Sequence, residues 1–348
     1  MSTTDSLNLR AGLAALPKID LHRHLEGSLR LATLLDVARR FELDLPLDDL
    51  EALRPLVQVT TGELNFRNFL EKFNVLRRFY QAPEVIHRLA HEVVADAAHD
   101  NVQYLELRFT PYALASTQGY ALADVTDWVV AAVQAAVREH PALRVGLIAS
   151  VNRHESLAIA EQVTRLAIER RDLGIVGLDL AGDEVNFSAE PFRPVFRAAR
   201  EAGLGVVAHA GEWTGADNVR DAIENLGVQR VGHGVRVLED PAVVALARER
   251  GIVFEVCLTS NVQTGVVTRL ADHPLCEMKR RGLRVTINTD DPSVSDSNLT
   301  DEYALAVEHL DFSVADIKQC IVTSAESAFL PPDQRAALAA QFSAALAL

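Results

Sequence analysis

Cysteine is scarce in this 348-residue chain: Cys257, Cys276 and Cys320 are the only three, odd in number and unclustered. Their scarcity excludes a disulfide framework and a thiolate zinc cage, and fits a reducing compartment. Positive charge is the minority sign, with 34 Lys and Arg against 48 Asp and Glu, a formal net charge of −14. An acidic surface repels phosphate backbones and anionic lipid headgroups, so neither a nucleic-acid partner nor a membrane surface is expected. Such a surface suits monomer and dimer alike. Long apolar runs are missing too, and none approaches the ~20 residues of a membrane-spanning helix. The first ten residues lack the basic start and apolar stretch of a secretory signal, so a cytoplasmic location is expected. With no low-complexity tract, Ser/Gly linker or solenoid repeat to divide it, the chain reads as one domain over 1–348.

What is present is ample core material: 49% of residues are hydrophobic and 24% charged, the profile of a globular protein. Short apolar runs at 19–24, 103–109, 145–151, 176–180, 206–210, 231–234, 253–258 and 285–289 read as strands. Nearly all are separated by helix-length segments, which calls for a parallel sheet. Eight is the number of strands that closes a (β/α)8 TIM-type barrel, the α/β fold expected here. Between them, Leu31, Leu34, Leu35 and Ala38 recur on one helical face, with Ser28 as the expected N-cap. Val85, Leu89, Val93 and Ala97 repeat the pattern, as do Val125, Val129, Ala132 and Ala136. A further helix over 240–250 ends before Gly251, a C-cap signal. Helices from about Ser313 onward read as a C-terminal tail.

One connection is far longer than a single helix needs. The helical insertion after strand one contains a phenylalanine-rich patch with Phe66, Phe69, Leu70 and Phe73 on it. Such a patch packs on the barrel exterior or forms a lid over its mouth, where long insertions tend to be functional.

The chemically telling residues sit at the C-terminal ends of the expected strands, where barrels of this kind assemble their active sites. Strand one ends in His22-Arg23-His24, and a spacing of two directs both imidazoles to one face. Strand four runs into Asp179-Leu180-Ala181-Gly182-Asp183-Glu184. Strand five ends in His209-Ala210-Gly211-Glu212, strand six in His233, and strand eight in Asn288-Thr289-Asp290-Asp291-Pro292. Singly each is ordinary: a His-x-His on an exposed face, or an Asp at a turn or helix N-cap. Their recurrence at several strand ends is what points to a site. His22, His24, His209 and Asp290 make an N/O donor set suited to a divalent transition metal, zinc above all. With one position left for water, the cation would lower that water's pKa towards ~7. His233, Glu212 and Asp291 then stand as base, acid and substrate anchor. Glu106 and Arg108, alternating with Leu105 and Leu107, are expected to pair inside the barrel. His87, His91, His99, His140, His154, His273 and His309 receive no role.

The set resembles the adenosine deaminase family of metal-dependent hydrolases. The resemblance rests on Leu16-Pro17-Lys18-Ile19-Asp20-Leu21-His22-Arg23-His24-Leu25-Glu26-Gly27, on the strand-four, strand-five and strand-eight segments above, and on Gly232-His233-Gly234-Val235. These stand in family order and cover nearly the whole chain. The resemblance implies one zinc per chain, held by His22, His24, His209 and Asp290. It implies that Glu212 meets purine N1, the Gly182 backbone meets N3 and an ionised Asp291 meets N7. His233 would orient the attacking water and balance its charge, while Phe66, Phe69, Leu70 and Phe73 cover the nucleoside. The small-molecule partner it implies is a purine nucleoside, deaminated hydrolytically at C6. The Pro-Cys-x-x-Cys half of the metal pattern of cytidine-type deaminases is absent, so that pattern is not met.

One position departs from the family pattern. Adenosine-preferring members usually carry Asp where this chain has Glu26, a residue implied to reach the ribose 5′-hydroxyl. Glutamate there is common in relatives acting on adenine or on 5′-modified adenosines of the aminodeoxyfutalosine or methylthioadenosine type. Thr259-Ser260-Asn261-Val262-Gln263-Thr264-Gly265 instead looks like the adenosine branch. The expected substrates are therefore adenosine and 2′-deoxyadenosine. The same chemistry on adenine or a 5′-modified adenosine is the alternative within enzymes. A nucleoside- or metal-binding barrel without catalysis would need neither Glu212 nor His233.

Overall fold

A computed structural model describes residues 3–45, 49–60, 62 and 64–348. Eight parallel strands follow one another around the sheet in chain order: β1 (Lys18–His24), β2 (Val102–Phe109), β3 (Arg144–Asn152), β4 (Ile175–Ala181), β5 (Gly205–Ala210), β6 (Arg230–His233), β7 (Val253–Val256) and β8 (Arg284–Ile287). The first and last close the barrel through a parallel bridge between Arg23 and Asp290. Backbone hydrogen bonds from His24 N to Asp290 O (2.8 Å) and from Asp290 N to His22 O (2.7 Å) fasten this seam. The fold is the expected (β/α)8 barrel, with strand ends within a few residues of those read from the sequence. β7 and β8 stop early because Leu258 opens a short helix (Leu258–Gln263) and Asp290 turns the backbone into the left-handed region, φ 62°.

Apolar residues such as Leu105, Leu107 and Phe109 join the buried core between sheet and helices. The alternate positions face inward and are unusually polar. Glu106 and Arg108 are both fully buried, yet they do not pair with each other. Each reaches across the barrel instead, Glu106 to Arg230 and Arg108 to Glu255 and Asp179. Two residues apart on one strand, their head groups lie side by side, whereas strands opposite offer end-on partners.

Among the described residues, four α-helices fill the insertion between β1 and β2: Leu31–Arg40, Leu50–Val57, Phe66–Leu76 and Pro83–His99. Ser28 does not cap the first. The helix starts later, at Leu31 with Arg30 as N-cap, and the Ser28 hydroxyl donates to His24 O at 2.5 Å. Asn65 caps Phe66–Leu76, its side chain accepting from Asn68 N. The C-terminal helices are not all a tail. Val314–Ser327 packs on β8 and β1 and completes the ring of barrel helices; only Pro332–Ala345 is appended, against that helix. Among the described residues, no helix is long and apolar enough to cross a membrane.

Candidate active site

The C-terminal ends of the strands open into a cavity of about 430 Å³. His24, Glu26, Gly182, His209, Glu212, His233, Asp290 and Asp291 line it, as do Phe66, Phe69, Leu70 and Phe73 of helix Phe66–Leu76. Every site residue expected from the sequence therefore meets in one place, with His22 fully buried beneath the others. The phenylalanine-rich helix covers the mouth, as the lid reading requires.

The register of β1 against β2 slips between Asp20 and Arg23, a bulge that re-aims the His22-Arg23-His24 segment. Arg23 turns away to Thr289 Oγ1 (3.1 Å) and Asp20 Oδ2 (3.2 Å), while both imidazoles enter the barrel. His24 Nε2 lies 3.2 Å from His22 Nε2, 3.2 Å from His209 Nε2 and 3.4 Å from Asp290 Oδ1, and His22 Nε2 is 3.3 Å from Asp290 Oδ1. A tetrahedral ion with bonds of about 2.0–2.1 Å separates its donors by about 3.3 Å, so this donor set fits a zinc-like divalent cation. His22, His209, His233 and Asp290 also bring one donor atom each within 4.8 Å of one another. Five candidate donors thus surround one point.

Carboxylates orient two of the rings from behind. His22 Nδ1 is 2.9 Å from Glu255 Oε2, and His209 Nδ1 is 3.2 Å from Asp179 Oδ1. Burial raises both acids, but Arg108 and Arg230 around Glu255, and His209 and Arg108 around Asp179, outweigh it and hold both carboxyls well below the usual range. Ionised carboxylates accept only, so each Nδ1 carries the hydrogen and each Nε2 offers its lone pair to the cavity.

The remaining acids behave differently. Burial, then the charges of Asp290 and Glu184, pushes Glu212 well above the ordinary carboxyl range. The loop carrying it is pinned by Glu184, whose carboxylate accepts from the backbone N–H groups of Gly211 (2.9 Å), Trp213 and Thr214 (2.9 Å). Asp290 goes the other way: its histidine neighbours overcome burial and draw it well below the usual value. Asp291 was expected to be ionised, but burial and the charges of Asp290, Glu26 and Glu212 drive it well up. Its surroundings favour the acid form, which can donate to a ring nitrogen. Asp291 has room only because residue 27 is glycine, since a Cβ there would overlap its carboxyl. Glu26 Oε1 accepts from Thr110 N at 2.6 Å, whereas its Oε2 is buried without a hydrogen-bond partner. Burial pushes this carboxyl up to about 7.

Several site residues escaped the sequence reading. Trp213 lines the cavity and stacks on Phe66 with ring centroids 5.0 Å apart, joining the lid to the Glu212 loop. Glu255 carried a usable signal, an acid in the middle of the apolar strand Val253–Val256. Arg108, expected to pair with Glu106, instead joins Glu255 and Asp179. Asn261, which backs His233, lies in the Thr259–Gly265 segment, whose family likeness says nothing of that contact, and His273 behind it carries no signal.

Histidines and acids gathered at the open end of a (β/α)8 barrel, with donors spaced for one divalent ion, define a metal-dependent hydrolase of the amidohydrolase type. The adenosine deaminase family model matches residues 17–345, and the chain belongs to the adenosine deaminase family. It is similar to the adenosine deaminase of Serratia proteamaculans, 40% identical over 93% of this chain and 97% of that one, and to that of Erwinia tasmaniensis, 40% identical over 94% and 98%. Among solved structures it resembles an adenine deaminase of Arthrobacter aurescens (29% identity, TM-score 0.87, 96% of this chain and 100% of the other). It also resembles a Burkholderia ambifaria amidohydrolase with bound zinc (29%, 0.88, 100% and 96%) and an Arabidopsis N6-mAMP deaminase (26%, 0.85, 96% and 99%). The protein is thus a purine deaminase built on a metal-dependent scaffold.

Proposed function

We propose that this protein, acting as a single domain with one zinc ion, hydrolyses adenosine and 2′-deoxyadenosine to the corresponding inosines and ammonia. The observation that carries the reading is Glu212: a buried carboxyl held in its acid form beside a cluster of metal-donor side chains, at the floor of a lidded cavity.

His22, His24, His209 and Asp290 would hold the metal. When bound, the cation supplies Lewis acidity that makes a water nucleophilic near neutral pH. The chain's own groups do the rest. Purine N1 is too weak a base to leave C6 electrophilic unaided, and Glu212 donates its proton there as C6 is attacked; of the two protons of the attacking water, one leaves with the C6 amino group as ammonia and the other returns Glu212 to its acid form. Glutamate can act as an acid at pH 7 only if its surroundings raise its pKa, as burial does here. Asp291 donates from its carboxylic acid to N7, and the Gly182 N–H meets N3. His233 Nε2, 3.6 Å from Glu212 Oε2 and 3.8 Å from Asp290 Oδ2, orients the attacking oxygen. Phe66, Phe69, Leu70 and Phe73 close over the substrate and exclude bulk water, which strengthens each polar contact beneath them.

The free Oε2 of Glu26 supports a nucleoside over a free base, because a ribose 5′-hydroxyl would satisfy a buried acceptor that adenine leaves unpaired. The curated relatives point the same way. Catalytic efficiencies of metal-replete enzyme on adenosine, 2′-deoxyadenosine, adenine and 5′-methylthioadenosine test the reading. Adenosine is expected to lead, and efficient adenine turnover with none on adenosine would overturn it.

A further inference from the structure

A chain of two buried side chains, His273 and Asn261, reaches His233 from behind. The backbone N–H of Leu275 donates to His273 Nδ1 at 3.1 Å. His273 Nε2 is 3.2 Å from Asn261 Oδ1, and Asn261 Nδ2 is 3.2 Å from His233 Nδ1. His273 sits in the turn before helix Leu275–Arg280, Asn261 in helix Leu258–Gln263, and His233 at the end of β6. All three are buried.

The direction of every bond follows from the first. A backbone N–H can only donate, so His273 Nδ1 accepts. Burial pushes this imidazole down to about 3, so it is neutral and its hydrogen lies on Nε2. That hydrogen points at Asn261, which must present its carbonyl oxygen. The reverse amide orientation would ask His273 to accept at both nitrogens, which only an imidazolate can do. Asn261 therefore turns its NH2 to His233, whose Nδ1 accepts. A neutral His233 then carries its hydrogen on Nε2, on the side of Glu212 and Asp290.

We infer that His273 and Asn261 are positioning residues that fix His233 as an Nε2–H tautomer, so that it serves as a hydrogen-bond donor to the attacking oxygen and as neither base nor metal donor. Its surroundings are opposite in sense to those of His22 and His209, whose Nδ1 groups face carboxylates. Three imidazoles within 5.3 Å of one another are thus sorted by what stands behind them: two offer lone pairs and one offers a hydrogen. This sorting settles the competition among five donors in favour of His24 over His233. The role at the attacking oxygen rests on the deaminase reading, whereas the tautomer stands on the hydrogen bonds alone.

Long-range 15N NMR of histidine-labelled protein, with the His233 signals identified by their loss in His233→Gln, reads the tautomer directly in the unmutated enzyme. A pyridine-type Nδ1 and a pyrrole-type Nε2 are expected with and without zinc; an Nδ1–H tautomer overturns the inference. His273→Leu removes the donor that orients Asn261, and its expected effects are a mixed His233 tautomer and a kcat lower by about 10- to 100-fold. Zinc content and KM should stay within about twofold of the starting enzyme. His273→Gln, whose amide can still donate to Asn261, is expected to restore both tautomer and rate. A merely structural role would lower the melting temperature of His273→Leu and leave the His233 tautomer unchanged, which counts against the inference. Unmutated protein that fails to deaminate adenosine while His233 is Nε2–H removes the deaminase reading and leaves the relay standing.

Discussion

At the scale of single residues, the site works by giving like side chains unlike surroundings. Glu212 and Asp291 are kept as acids by burial among other carboxyls, while Asp290, ringed by histidines, is kept ionised. Glu212→Gln keeps the shape but not the transferable proton. It should retain one zinc by elemental analysis and lose turnover by 10²-fold or more, the usual scale of a lost general acid; substantial residual deamination would refute the assignment. Arg108 is the deeper control. Its guanidinium spans Glu255 and Asp179, the carboxylates behind His22 and His209. Arg108→Met leaves both without their shared cation, and zinc affinity measured by chelator competition should fall by about 10- to 100-fold. Removing one partner of a buried ion pair also costs stability, about 3–5 kcal/mol by denaturant titration.

Between elements, two contacts stand out, each joining a residue of an expected segment to a residue outside those segments. The Phe66–Trp213 stack ties the lid helix to the loop of Glu212, and aromatic pairs of this kind contribute about 0.5–1.5 kcal/mol. Trp213→Ala should therefore raise KM for adenosine several-fold. In a Trp128→Phe background, Trp213 is the sole indole, and its fluorescence should change when an inosine product binds; an unchanged spectrum would argue that the lid does not respond to ligand. The second contact joins helix Leu299–His309 to helix Leu258–Gln263, where Glu302 accepts from Thr259 N (3.1 Å) and Thr259 Oγ1. Burial pushes Glu302 up to about 7. A carboxyl whose pKa is higher folded than unfolded binds its proton more tightly in the folded state, so stability declines as pH rises from about 4.5 to 7. At about 1.4 kcal/mol per unit the decline amounts to about 3 kcal/mol. Thermal melts across this range should fall less for Glu302→Gln than for the unmutated chain, and parallel slopes would show that Glu302 does not titrate there.

The sequence disclosed elements and strand-end residues well because both leave local marks: apolar runs of strand length, and polar residues where a barrel strand stops. It disclosed partners poorly. Glu106 and Arg108 looked like neighbours, yet their true partners, Arg230, Glu255 and Asp179, lie on strands far along the chain. Ser28 has the chemistry of an N-cap, but two more residues, Leu29 and Arg30, precede the helix. His273 has no local mark at all, because its significance depends on a backbone N–H and an amide from other segments.

For the molecule as a whole, the proposed zinc is a fastener as well as a reagent. Stripping it with a chelator should abolish deamination and lower the melting temperature, with both recovered on adding zinc. The expected gain in folding free energy is about 4 kcal/mol when free zinc exceeds its dissociation constant a thousandfold. Identical melting curves for stripped and loaded protein would show that the metal contributes nothing to the fold.

The seam between β1 and β8 gives this arrangement a consequence in time. His22 and His24, on the first strand of the barrel, leave the ribosome well before Asp290, which follows the last strand and is bridged to them through the backbone. A growing polypeptide thus carries the first two imidazoles long before it has the aspartate that completes their set. Acquisition of tightly held metal would then mark the moment at which the ring shuts, and a product truncated before strand eight would leave the translation machinery unable to trap it.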